Sequence, residues 1–147
     1  MKISALTDVP HFADIIANRG WTAWWTDSEL GEADYRAGLK PMITGDGIPF
    51  ALVAHDSAHY LGSVLVIEND LEARPQYAPW IAALWVEPEF RSQGIAATLI
   101  SAAREMANAL GHSSCYLCAS PQNSPYYIAR GFRLIETGVD GLNVFVI

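Results

Sequence analysis

The chain has 147 residues, of which 51% are hydrophobic and 17% charged, so we expect one folded domain over residues 1–147. Its formal net charge is −7, which argues against a nucleic-acid partner because nucleic-acid binding draws on a basic surface. Its apolar runs are far shorter than the ~20 residues that cross a bilayer, and no export signal is visible, so we expect a cytoplasmic protein without a membrane partner.

The first third of the chain predicts a short edge strand followed by two helices. Residues 3–6 form the strand, and Asp8 resembles the N-cap of a helix that breaks at residues 18–20. The polar run 26–28 supplies a cap for a second helix over residues 29–39.

The middle of the chain predicts a hairpin, a central strand and a long helix. Residues 50–55 and 60–68 flank a polar turn, and residues 79–86 are apolar on both faces, as in a central strand. A helix is predicted over residues 95–110, with Gly111 placed where it should stop. Its predicted apolar stripe consists of Ile95, Leu99, Ala102, Met106 and Leu110.

The last third predicts a strand at residues 114–118, a short helix near residues 124–129, and strands at residues 132–137 and 143–146. Strands on both sides of the long helix indicate an α/β protein with a mixed sheet.

The turn from Arg91 to Gly94 is the most informative segment because it opens directly into the long helix. Backbone N–H groups at the start of a helix are unpaired and lie at the positive end of its dipole, so they bind phosphates. Gly94 and Ala96 leave room for a diphosphate to approach the main chain. The alternative is that Gly94 only ends a loop between a strand and a helix.

Two motifs carry a family resemblance. The segment 79–99, which contains Arg91-Ser-Gln-Gly-Ile-Ala96, resembles the acyl-CoA-binding segment of the GCN5-related N-acetyltransferases (GNAT family), and residues 123–132 resemble the family's second landmark, an Asn followed by Tyr-x-x-x-Gly-Phe. The resemblance extends over nearly the whole chain. It implies a single mixed, twisted, mostly antiparallel sheet flanked by helices, and direct transfer of an acetyl group from acetyl-CoA to a primary amine without a metal.

The resemblance also assigns roles to individual residues. Tyr127 matches the family's general acid, and a phenol near pKa 10 can protonate a departing thiolate. The alternative is a packing role for Tyr127, and its neighbour Tyr126 is the other phenol to consider. The residues that would bind acetyl-CoA are Leu84, Val86, Arg91, Ser92, Gln93, Gly94, Ile95, Ala96, Thr98 and Asn123.

The acceptor amine is expected between the first two helices, which is where the family lines its acceptor pocket. The expected residues are Trp24, Trp25, Asp27 and Glu29, with Trp21 nearby. Aromatic faces beside carboxylates suit a cationic amine. The alternative is that two of these three tryptophans belong to the core.

The general base is unassigned, because the central strand holds no carboxylate, unlike that of many family members. Glu68, Asp70 and Glu72 are candidates for this role, whereas Glu87 and Glu89 are expected to face solvent.

The pair Cys115 and Cys118 is expected to be buried and inert, because one Cys pair cannot complete a zinc site and residues three apart on a strand face opposite ways. Two alternative functions compete with that of an acetyltransferase. A sensor that binds acyl-CoA without turnover is the alternative that stays open.

A dinucleotide-binding oxidoreductase is disfavoured because no G-x-G-x-x-G follows an early strand. The acceptor, a small molecule or a peptide, is unspecified, and a homodimer is left open.

Overall fold

A computed structural model describes residues 1–147, and its seven strands form one sheet in the order β1-β2-β3-β4-β5-β7-β6. The strands are β1 (Lys2–Ala5), β2 (Phe50–Asp56), β3 (His59–Ile67), β4 (Trp80–Val86), β5 (Tyr116–Ala119), β6 (Arg133–Val139) and β7 (Leu142–Val146). The helices are α1 (Ala13–Trp24), α2 (Glu32–Gly38), α3 (Lys40–Thr44), α4 (Ile95–Ala109) and α5 (Ser124–Ile128). All neighbouring strands are antiparallel except β4 and β5, which confirms the predicted mixed sheet flanked by helices.

The predicted hairpin is present, with β2 paired to β3 from Phe50 opposite Val66 to Asp56 opposite His59. The predicted edge strand is β1, which pairs only with β2. β4 lies fourth in the order, so the segment that is apolar on both faces is the central strand. No helix in the structure is long and apolar enough to cross a membrane.

Helix α4 crosses from β4 to β5, and Gly111 follows it with a φ of +99°. Its buried face is broader than the predicted stripe, and it consists of Ile95, Ala96, Leu99, Ile100, Ala103 and Ala107. Ala102 and Met106 are partly buried and pack against the core, whereas Leu110 is 41% exposed, so the predicted stripe was wrong only at Leu110. The physical reason is that α4 ends at Ala109, and Leu110 follows it as the C-cap.

The predicted boundaries near the amino terminus were wrong in three places. Asp8 caps no helix, because a short 3-10 turn beginning at Pro10 precedes α1. Helix α1 continues through residues 18–20. Gly20 allows α2 to pack closely here, because a Cβ atom at this position would clash with the ring of Tyr35 from α2. This contact between helices outweighs the roughly 1 kcal/mol that glycine costs inside a helix.

Helix α2 begins after Gly31 rather than after residues 26–28, so the predicted second cap was also wrong. The reason is that the carboxylate of Asp34 accepts a hydrogen bond from the Gly31 N–H at 3.0 Å, which completes the first turn from inside the helix.

The loop between β3 and β4 is attached to β6 by a cluster of three polar side chains. Arg74 donates to Glu136 through Nε at 3.0 Å and Nη2 at 2.7 Å, and the Tyr77 hydroxyl also donates to Glu136. These hydrogen bonds, with Arg74 first, lower the pKa of Glu136 to about 2.

Glu136→Gln should therefore lower Tm at pH 7. The pKa of Glu136 is lower in the folded protein than in the unfolded chain, where it is about 4.3. The stabilisation is therefore complete above the pKa of the unfolded chain and is lost as the pH falls towards 2. Thermal unfolding at several pH values checks this, with Glu105→Gln on the exposed side of α4 as the control. A difference in Tm between wild type and Glu136→Gln that persists unchanged at pH 2 would contradict this ion-pair account.

Candidate active site

The central strand separates from its parallel neighbour and leaves an opening in the sheet. β4 and β5 share a single residue pair, Trp80 with Tyr116, so the β5-facing edge of β4 has no strand partner beyond that pair. A bulge follows Ala82, and at the bulge Ala83 has a φ of +51°. The opening therefore exposes main-chain polar groups in the middle of the sheet, where a ligand can pair with them.

The loop that leads into α4 also presents unpaired main-chain groups. The backbone N–H groups of residues 92–97 donate no hydrogen bond within the chain, and the first helical donor is Thr98, whose N–H bonds to the Gly94 carbonyl at 3.0 Å. Gly94 has a φ of +86°, a left-handed conformation that favours glycine. The site therefore has a free set of donors at the positive end of a helix dipole.

The side chains of this loop divide into exposed and buried ones. Ser92 and Gln93 are exposed, whereas the side chains of Ile95 and Ala96 lie in the core, so the latter two contribute only main-chain groups at the surface. The Thr98 hydroxyl donates to the Gly94 carbonyl at 3.0 Å and is committed to the first turn of the helix.

Arg91 fixes this loop to the end of β4. Its Nε donates to the Val86 carbonyl at 2.8 Å, and its guanidinium carbon lies 4.7 Å from the centre of the Trp85 ring. The Val86 carbonyl therefore already accepts one hydrogen bond, and the other nitrogens of Arg91 are available to a ligand.

A cavity of about 730 Å³ opens from the gap between β4 and β5 towards α1 and α2. It brings together five of the predicted site residues: Trp24, Trp25, Leu84, Asn123 and Tyr127. The remaining predicted residues lie outside its lining, namely Asp27, Glu29, Val86, Arg91, Ser92, Gln93, Gly94, Ile95, Ala96 and Thr98. The predicted site thus has two parts, a surface loop with free N–H groups and a cavity that is open to the surface.

Tyr127 reaches this cavity from α5. It is half-buried on α5, packs edge-on against Phe132 with ring centres 5.7 Å apart, and its hydroxyl has no partner in the chain. Burial, with a smaller effect from Tyr126, raises the pKa of Tyr127, so the phenol stays protonated at neutral pH. Tyr126 lies outside the lining, 40% exposed, beneath the guanidinium group of Arg130.

A model of the acetyltransferase (GNAT) domain matches residues 49–134, which is more than half of the chain. The chain belongs to the GNAT family. It is an N-acetyltransferase by this assignment, in a family whose acetyl donor is acetyl-CoA. No curated protein sequence matches the chain.

Solved structures at 14–18% identity share the fold of this GNAT protein. An aminoglycoside 6'-N-acetyltransferase complexed with coenzyme A has a TM-score of 0.77, with 100% of this chain and 96% of that chain covered at 14% identity. The spermidine/spermine N-acetyltransferase SpeG from Vibrio cholerae has a TM-score of 0.69 at 18% identity, covering 99% and 93% of the two chains. The yncA protein from Salmonella typhimurium, with its cofactor acetyl-CoA, has a TM-score of 0.73 at 15% identity, covering 100% and 92%.

Of the three candidates for the general base, only Asp70 lines the cavity of this GNAT protein. Glu68 and Glu72 are exposed and do not line it. Although Asp70 is exposed as a whole residue, the protein atoms around its carboxylate raise its pKa by desolvation, and the Cys118 thiol, which donates to Asp70 Oδ2 at 3.4 Å, opposes this effect.

The two cysteines differ from the expectation that both are buried. Cys115 is buried, but Cys118 is half-buried and lines the cavity, because β5 pairs with β4 only at Tyr116. Burial, followed by the negative charge of Asp70, raises the pKa of Cys118 to about 12, so its thiol is not a nucleophile at neutral pH. No group of three or more possible ligand side chains is arranged to hold a metal ion.

The acceptor end of the cavity differs in part from the prediction. Trp24 and Trp25 line it and are 50% and 42% exposed, and Trp21 is only partly buried, so none of the three is a core residue. Asp27 and Glu29 are exposed in the turn after α1 and do not line the cavity, so their contact with the acceptor stays a prediction. Both lie in the connection between α1 and α2, because α2 starts only after residue 31.

The sequence analysis missed Asp34, Tyr35, Leu39 and Met42, which line the acceptor end. The last three follow each other at steps of four and three residues, which is a helical stripe that could have identified them. No pattern signalled the bulge at Ala83.

Glu87 was predicted to face solvent and is instead 7% exposed. Arg19 donates to both of its carboxylate oxygens at 3.0 Å or less, and the Trp85 indole donates at 3.0 Å. Burial alone would raise the pKa of Glu87, but these hydrogen bonds lower it below its usual value. Glu87 is therefore a paired structural carboxylate that ties α1 to the end of β4.

Proposed function

We propose that this GNAT protein transfers the acetyl group of acetyl-CoA directly to the primary amine of a small molecule, with Tyr127 as the general acid. The observation that carries the proposal is that two parts of a site meet on β4: its open edge lines the cavity that contains the unpaired hydroxyl of Tyr127, and Arg91 attaches the loop with the free N–H groups of residues 92–97 to Val86 at the end of the same strand. A phosphate-binding loop alone would suit many ligands, whereas an adjoining open strand edge suits the amide-containing arm of coenzyme A.

The residues present fit acetyl-CoA. Its diphosphate matches the N–H groups of residues 92–97, to which free nitrogens of Arg91 can add a positive charge. Its amide groups can pair with β4 near Leu84, in the way that a neighbouring strand would. Asn123 lines the same opening and offers an amide side chain.

The chemistry needs one bond made, one bond broken and proton transfers at the nitrogen, the sulfur and the phenol. The ammonium group of the acceptor first releases a proton to solvent, and the neutral amine nitrogen then attacks the thioester carbonyl carbon, the C–N bond forms and the C–S bond breaks. The sulfur takes the proton of the Tyr127 phenol, the new amide nitrogen releases a proton to solvent, and solvent restores the phenol. Transfer is direct, because the raised pKa of Cys118 leaves no thiolate to carry the acetyl group.

A small acceptor is supported by the size of the site. The cavity that contains the acceptor end has a volume of about 730 Å³, which is within the usual range for small-molecule sites, and two of the similar structures are named for acetylation of aminoglycosides and of spermidine or spermine. A sensor that binds acyl-CoA without turnover would not need a general acid such as Tyr127.

Coenzyme A should raise Tm, and the protein should release free thiol from acetyl-CoA only when an amine is present. A ligand at 100 times its Kd adds ~2.7 kcal/mol to the free energy of unfolding, which shifts Tm by several degrees. Thermal unfolding and a thiol-release assay against a broad panel of amines check both halves. No shift in Tm at millimolar coenzyme A would contradict the cofactor assignment, and binding without amine-dependent thiol release would favour the sensor.

A further inference from the structure

The lining of the cavity carries negative charge and no positive charge. Of its 22 residues, 17 are hydrophobic, the charged members are Asp34 and Asp70, and no lysine, arginine or histidine is among them. An anionic acceptor would therefore meet repulsion and no cation. A positively charged group attached to an apolar body matches this surface better.

Asp70 differs from the protein's other carboxylates with shifted pKa values. Glu87 is paired with Arg19 and Glu136 with Arg74, and both have lowered pKa values, whereas Asp70 forms no salt bridge and its pKa is raised by desolvation. Its only side-chain partner is the thiol of Cys118, a weak donor. A partly desolvated carboxylate without a cation gains most when an ammonium group binds to it.

Asp70 shares the cavity with the phenol and with the acceptor end. Its Oδ2 accepts from Cys118 of β5 at 3.4 Å, and Cys118, Tyr127 and Tyr35 of α2 line the same cavity. An amine held at Asp70 therefore lies in the space that also contains the acid group and the acceptor end.

The acceptor end itself is aromatic and aliphatic. Trp24 and Trp25 present large exposed rings there, and Leu39 and Met42 are buried behind them. Asp34 is the second carboxylate, and its Oδ2 already accepts the hydrogen bond from the Gly31 N–H, so Asp70 is the carboxylate of the lining without a backbone donor. An acceptor with three or more ammonium groups would leave at least one of them facing apolar side chains, where it loses its hydration without compensation.

We infer that the acceptor is a monoamine with an apolar body, whose ammonium group binds Asp70 while its body lies against Trp24, Trp25 and the side chains behind them. This inference rests on the proposed function and narrows it. It disfavours acceptors that carry several positive charges, such as aminoglycosides and polyamines.

The test is steady-state kinetics with acetyl-CoA and three acceptors: 2-phenylethylamine, spermidine and kanamycin. We expect kcat/KM for 2-phenylethylamine to exceed both others by about tenfold or more, because each additional buried ammonium costs at least that much. Asp70→Asn should lower kcat/KM for 2-phenylethylamine about tenfold or more, mainly through KM, since a hydrogen bond between charged groups is lost.

Glu72→Gln is the matched control, because Glu72 lies on the same loop, is exposed and does not line the cavity. It should change kcat/KM less than about twofold, and both variants should bind coenzyme A as the wild type does. A preference for spermidine or kanamycin, or equal effects of the two substitutions, would overturn the inference and leave the proposed function standing. Binding of coenzyme A without turnover of any amine would overturn both.

Discussion

Replacing Tyr127 by phenylalanine should lower kcat about 10²–10⁴-fold while the affinity for coenzyme A stays within about twofold, which is the usual size of a general-acid contribution. The loss comes from the unassisted departure of a thiolate, since the rest of the ring is retained and packs on Phe132 as before. Stopped-time thiol release and a separate binding titration measure the two quantities.

Tyr126→Phe is the matched control, because Tyr126 is adjacent on the same short helix but lies outside the cavity. It removes the same hydroxyl group from a ring that contacts Arg130 and should leave kcat nearly unchanged. Equal rates for wild type and Tyr127→Phe, with Tyr126→Phe also normal, would remove the acid role from Tyr127.

Gly94→Ala should weaken coenzyme A binding about tenfold or more, which is the second large effect expected. The left-handed conformation of residue 94 costs a residue with a Cβ atom roughly 1–2 kcal/mol. The loop is therefore expected to relax, which changes the direction of the N–H groups of residues 92–97. Space is not the reason, because a Cβ atom at Gly94 would meet no atom within 4 Å.

Gly111→Ala provides a control at the other end of the same helix. Gly111 also has a positive φ, +99°, and also has no atom within 4 Å of a built Cβ, so the cost to stability should be similar. Calorimetric titration of both variants with coenzyme A should show weaker binding only for Gly94→Ala. If Gly111→Ala weakened binding as much, the effect would be one of stability alone.

The parts of the fold that the sequence predicted well are those set by local pattern. The hairpin of β2 and β3 and the long helix α4 follow from alternation, helical spacing and the stop at Gly111. The free N–H donors of the loop before α4 were equally predictable, because the first backbone N–H groups of a helix lack an intrahelical partner in any fold.

The parts that the sequence did not predict depend on partners far along the chain. Gly20 was expected to break α1, but its missing side chain is what admits Tyr35. Glu87 was expected in solvent, but Arg19 lies beside it in space and 68 residues away in the sequence. The position of Asp70 in the cavity likewise depends on Cys118, which is 48 residues away. Neither periodicity nor composition contains that information.

The central claim is that main-chain donors before α4 bind the diphosphate of coenzyme A. An amide-resolved ¹H–¹⁵N NMR titration with coenzyme A measures this most directly. We predict that the amides of residues 92–97 show the largest shifts on saturation, because they have no acceptor within the chain. Saturable binding that leaves those amides unmoved and shifts others instead would contradict the claim.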